Sequence, residues 1–168
     1  IGNTTLWFLE PGQEVYDFPA DYFKITPQYF ENLVKGNEIQ VYSLIKNCLN
    51  SGASMSKLII EVIMPAIVSI KRLYDDGKIG NSEEKLLQNI ISKSLQIFNQ
   101  IPIDLNNKKS VVVISADPQS NLLSEAASAS LHSAGWNVFH LGDMSSAINV
   151  LFDLDLQKLL GKIWKQKS

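Results

Sequence analysis

The chain has 168 residues, 45% hydrophobic and 19% charged, with 9 glycines and 6 prolines, which is enough to build a core and excludes disordered and collagen-like chains. Lys and Arg number 15 against 17 Asp and Glu, for a formal charge of -2, with Arg72 the sole arginine; that balance argues against a nucleic-acid surface, which needs clustered cations. A single cysteine, Cys48, forms neither an internal disulfide nor a cysteine-rich zinc site and fits a reducing, cytoplasmic setting, and charged residues interrupt every apolar run before it reaches the ~18 residues of a membrane span.

Residues 1–25 are aromatic and irregular, with Trp7, Phe8, Tyr16, Phe18, Tyr22 and Phe23 scattered between Pro11, Gly12 and Pro19. They predict an extended arm packed on the body, with a short strand at Thr4 to Leu9. From Thr26 the period turns helical. Thr26 and Pro27 offer a capping side chain and a proline for the first turn, and Gly36 offers a stop. Asn37 opens a second helix whose Ile39, Val41, Leu44, Ile45, Cys48 and Leu49 fall near one face, ending at Gly52. Ser54 opens a third, running from Leu58 to Tyr74, in which Pro65 forces a break or kink because its nitrogen has no hydrogen to donate. After the turn Asp75-Asp76-Gly77, Asn81 or Ser82 starts a fourth helix, with Glu83 and Glu84 in its favourable first turn and Leu86, Leu87, Ile90, Ile91, Leu95, Ile97 and Phe98 as its apolar face. Four such helices with short connections predict a small bundle over residues 26–100.

Residues 101–109 read as a linker, rich in turn formers and charge. Val111 to Ile114 is an unalternated β-branched run that suits a strand buried on both faces of a parallel sheet. A loop, Asp117 to Ser120, leads to a small-residue helix through Ala126-Ala127-Ser128-Ala129, which Gly135 ends. Trp136 to Leu141 is then a second strand, completing a βαβ unit with a right-handed crossover. A last helix is expected from Asp153 to Lys165. The fold class is therefore α/β, a four-helix bundle cap followed by a truncated Rossmann-like part over residues 110–168. Two strands where such sheets have about five, and a start at Ile1, read as a piece of a longer protein.

Bundle, linker and βαβ unit, with Ala134-Gly135-Trp136-Asn137-Val138 and Leu141-Gly142, resemble the cobalamin-binding module of methionine synthase, corrinoid methyl-carrier proteins and cobalamin-dependent light-sensing repressors. Lys35-Gly36-Asn37 and Ser51-Gly52-Ala53 resemble the paired turns of its helical cap. Glu61-Val62-Ile63-Met64-Pro65-Ala66 is similar to its proline-interrupted third helix, and Tyr74-Asp75-Asp76-Gly77-Lys78-Ile79 to the segment before its ligand-facing motif. In the light-sensing branch that motif is a tryptophan, nine residues, then Glu-His. Here the same spacing carries Tyr74, then Glu84 and Lys85. A phenol ring still covers an apolar ligand face, whereas a protonated lysine cannot coordinate a metal. The family's loop after the first strand carries Asp/Glu-x-His-x-x-Gly, whose histidine is the lower cobalt ligand. The corresponding position is Ser120, or Asn121 with a one-residue slip, and Leu123 or Ser124 stands at the glycine; hydroxyl and amide are poor cobalt ligands beside imidazole. Gly142 is kept, and a tight turn from strand to helix accounts for it.

What the resemblance implies is a sensory or regulatory module, not itself an enzyme, that acts through a protein partner or fused effector domain and could form homo-oligomers. A cobalamin or other tetrapyrrole would lie between Tyr74, Glu84 and Lys85 of the cap and Gln119, Ser120 and Asn121 of the sheet edge, and the missing histidines favour a ligand-free version. A corrinoid methyl carrier is the alternative. A haem-binding regulatory domain is another, with His140 as the available axial ligand at the carboxyl edge of the sheet. His132, near a helix C-terminus, complements the helix dipole. Cys48 reads as core, and Asp117-Pro118 as a turn.

Overall fold

The computed structural model describes residues 22–102, 109–145 and 154–165, so the arm expected over residues 1–21 and most of the linker lie outside the described residues. Helix α1 (Tyr22–Val34) buries Tyr22, Ile25, Tyr29 and Leu33 along one stripe. It begins four residues ahead of the expected start at Thr26, and Pro27 lies inside it. The stripe spacing explains the difference, because Tyr22 and Ile25 continue the helical period upstream and both are buried.

Helix α2 (Glu38–Asn50) buries Val41, Leu44, Ile45 and Cys48, and α3 (Met55–Leu58) leads into a π-helical turn (Ile59–Ile63) and then α4 (Met64–Asp75). Pro65 accounts for the irregularity. In an α-helix residue 65 would donate to the carbonyl of Glu61, and proline cannot. The orphaned Glu61 oxygen instead accepts from Thr26 Oγ1 at 2.8 Å, across from α1. Helix α5 (Asn81–Asn99) supplies Leu87, Ile90, Ile91, Leu95 and Phe98 to the same core. The ends of α1, α2 and α4 close alike: at α1, Gly36 N–H donates to Leu33 and Asn37 N–H to Asn32, a geometry that needs the positive φ of 68° that glycine tolerates.

Strand β1 (Ser110–Ser115) pairs in parallel with β2 (Asn137–Asp143), with α6 (Asn121–Ser133) between them in sequence. Val113 faces His140 and Ile114 faces Gly142, so Leu141 is an extra residue, a bulge. Gly142, with φ of 70°, thus sits within the strand and not in the turn that the sequence suggests. Nor is β1 buried on both faces: Val111, Val112 and Val113 are half-buried and Ile114 is 46% exposed, since α6 is the cover packed on the sheet among the described residues. Helix α6 also packs on α3, α4 and α5, and its Ala126 and Ala129 are buried in the core of the bundle. Small residues therefore let α6 lie close to both layers. A final helix, α7, spans Leu154–Lys165. Among the described residues no helix is long and apolar enough to cross a membrane.

Candidate functional site

The candidate side chains fall into two groups. The first belongs to the cap. Tyr74, at the end of α4, is 37% exposed, and the Lys71 ammonium lies 5.3 Å from the centroid of its ring, so one face of the aromatic is already engaged by a cation. Lys71 donates to Asp75 Oδ1 at 2.8 Å; that bond raises its pKa, as does the field of Glu84. Glu84 itself is 8% exposed and accepts from Gln88 Nε2 at 3.1 Å. Lys85, its neighbour, is exposed.

The second group lies at the carboxyl edge of the sheet. Asp117 caps the short turn Pro118–Ser120, accepting from the N–H groups of Gln119 at 2.7 Å and Ser120 at 3.1 Å and from Ser120 Oγ. These bonds, the Ser120 hydroxyl first, hold its carboxyl below the ordinary 3.8. Asn121 opens α6. Its Nδ2 donates to Glu125 Oε1 at 3.0 Å, and Glu125 Oε2 accepts from Ser92 Oγ of α5 at 2.5 Å. Asn121 Oδ1 is buried and has no hydrogen-bond partner among the described residues. It faces Gly142, where an added Cβ would lie 3.7 Å away.

His140 is exposed at the same edge, its Nε2 2.9 Å from Ser124 Oγ. Ser124 Oγ donates to the Asn121 carbonyl at 2.7 Å. A hydroxyl has one hydrogen, so Nε2 is the donor to Ser124 and has no lone pair for a metal. In this arrangement Nδ1 is the nitrogen of His140 that keeps a lone pair. His132 sits in the last turn of α6, its Nε2 3.4 Å from the Ile101 carbonyl. Among the described residues, no three His, Cys, Asp or Glu side chains cluster as metal ligands do.

Ser120, Asn121, His140 and Gly142 thus come together at the sheet edge, and Gln119 is exposed beside them. Tyr74, Glu84 and Lys85 form the separate cap group. Between the two runs a polar stripe of α5: Glu84, Gln88 and Ser92 are four residues apart and share a side of the helix, which spans about 12 Å from Glu84 to Ser92. Asp117, Ser92 and Glu125 take part without being evident from the sequence. The Asn121–Glu125 spacing of four is a readable signal for one of these contacts, whereas Ser92 is 33 residues from Glu125 and gives none.

As a fit for a corrinoid, the donor set is split. The edge offers a buried amide oxygen, which suits the polar periphery of such a molecule, whereas the Gln119 and Ser120 N–H groups and the Ser120 and Ser124 hydroxyl hydrogens are already donated within the chain, and no imidazole stands at the position that would ligate cobalt. Residues 27–98, most of α1 through Phe98 of α5, match the family described as B12 binding domain, and over this segment the resemblance to a cobalamin-binding module holds. No curated protein matches the chain in sequence. Among solved structures the chain is similar to one in the methanol:cobalamin methyltransferase complex MtaBC from Methanosarcina barkeri, at 21% identity with a TM-score of 0.47, over 84% of this chain and 55% of that one.

Proposed function

We propose that the chain is a corrinoid-binding module, serving as the carrier component of a methyl-transfer system and holding its cofactor without a histidine ligand from the 120–121 loop. The missing histidines alone argue for a ligand-free regulatory module. One observation weighs against that reading: the B12-binding match in the cap belongs to helices packed directly on α6, whose first residue holds a buried acceptor with no partner among the described residues. A buried acceptor without a partner inside the protein calls for a donor from outside the chain.

In this reading a bound corrinoid supplies the metal that carries the methyl group. The chain's own residues bind and orient it. Tyr74, Glu84 and Lys85 would hold it from the cap and Gln119, Ser120 and Asn121 from the sheet edge, where Gly142, at a φ that favours glycine, has no side chain to crowd Asn121. A partner methyltransferase loads and unloads the methyl group.

The test is retention. The 168-residue chain incubated with aquocobalamin or methylcobalamin and passed through a desalting column should keep a stoichiometric chromophore, and His132→Ala and His140→Ala should leave its spectrum unchanged. Loss of all colour from the wild-type protein would return the chain to the ligand-free regulatory reading. Retained cobalamin whose methyl group no partner methyltransferase can transfer would remove the carrier role and keep the binding.

A further inference from the structure

We propose that Glu125 and Ser92 are positioning residues that lock the Asn121 amide in one orientation, so that its Oδ1 accepts a hydrogen bond from an N–H of the bound corrinoid's periphery. This rests on the reading just given. A side-chain amide can present either end, and only its surroundings decide which. A carboxylate accepts and cannot donate, so Asn121 turns its NH2 end toward Glu125 Oε1 at 3.0 Å. The carboxylate is held in turn, because its other oxygen accepts from Ser92 Oγ on α5. Both Glu125 oxygens are engaged, one from each structural layer. The amide oxygen is thereby committed to the opposite direction, where it is buried beside Gly142 with no partner among the described residues.

A buried carbonyl-type oxygen with a fixed direction selects for chemistry. It rejects anions and other acceptors, and it rewards a neutral or cationic N–H or O–H donor. The carboxamide groups around a corrin ring are such donors. Amide oxygen is also a poor ligand for cobalt, so the role of Asn121 is recognition at the rim and not coordination at the metal. Because Ser92 belongs to the cap and Asn121 to the sheet edge, the pair of contacts ties the recognition group to the seating of one layer on the other.

Equilibrium dialysis of the full chain against aquocobalamin, with thermal melting of the same samples without it, tests the proposal. Asn121→Leu removes the acceptor at similar size. It should weaken binding about tenfold or more while lowering the unliganded melting temperature no further than Ser92→Ala does, since the N–H it takes from Glu125 Oε1 is offset by the loss of an unpaired buried oxygen. Ser92→Ala leaves the acceptor in place but frees the carboxylate; it should weaken binding about threefold to tenfold, and Ser92→Thr should restore it. The Asn121 side-chain amide resonances should shift in Ser92→Ala and return in Ser92→Thr. Wild-type affinity in both Asn121→Leu and Ser92→Ala would overturn the inference while leaving corrinoid binding intact. Parallel losses of affinity and unliganded stability, with no rescue by threonine, would also overturn it, reducing the contacts to packing. A wild-type protein that binds no aquocobalamin would instead bring down the functional reading, and this inference with it.

Discussion

Thr26 and Pro65 are 39 positions apart in the sequence and one hydrogen bond apart in space, through the carbonyl of Glu61. Thr26→Val should lower stability by about 0.5–1.5 kcal/mol in urea unfolding, at the modest end because Glu61 is exposed to water. In a Pro65→Ala background residue 65 regains its own N–H, so the same valine should then have a smaller effect, and a double-mutant cycle reads the difference. Asp117 gives a pH signature. Its folded pKa lies below 3.8, so the cap's contribution is complete above that value and is lost as pH falls through the lower folded one. Asp117→Asn keeps a capping oxygen and no titration there; the unfolding midpoint should therefore fall further between about pH 6 and about pH 3 in the wild type than in the variant, and equal falls would show that the cap is idle. At this scale the sequence was a partial guide. Asp117-Pro118 is legible as a turn, yet Thr26-Pro27 imitates a helix start, because capping chemistry and mid-helix bonding to a distant carbonyl use the same hydroxyl.

Among the elements, α2 and α5 follow from their apolar spacing, although Ile39 and Leu86, counted in those stripes, are 77% and 52% exposed, and the interruption of the third helix follows from Pro65. Local patterns carry that information because each helix buries a single stripe. For α6 the pattern misleads by omission. Its small residues suggest closeness to a sheet, and they serve the bundle as well: Ala129 is fully buried, Ala126 is 1% exposed, and both join the bundle core. Ala129→Leu should accordingly destabilise by about 1–3 kcal/mol through overpacking, whereas Ala127→Leu, on the exposed side of the same helix, should leave thermal unfolding nearly unchanged. The burial of β1 is the converse case. A β-branched run is compatible with either one covered face or two, and only the placement of α6 shows which applies here.

For the molecule as a whole, bundle and βαβ unit share α6, so the two parts should unfold together. Hydrogen exchange of β1 amides and of α5 amides is expected to open at the same denaturant concentration, and earlier opening of the strands would show that the core does not couple them. The candidate site has the same composite origin. Asn121 and Tyr74 are legible as candidate positions through the family resemblance, but the Ser92–Glu125 contact beside them is not, since it depends on two layers meeting. The bulge at Leu141 has a bearing on which side chains the edge presents. By inserting one residue it moves the two-residue alternation of the strand on by one, so that Gly142 and Asp143 resume pairing with their faces exchanged. One residue more or less at this point therefore decides whether His140 and the glycine beside Asn121 stand in their present places at the rim.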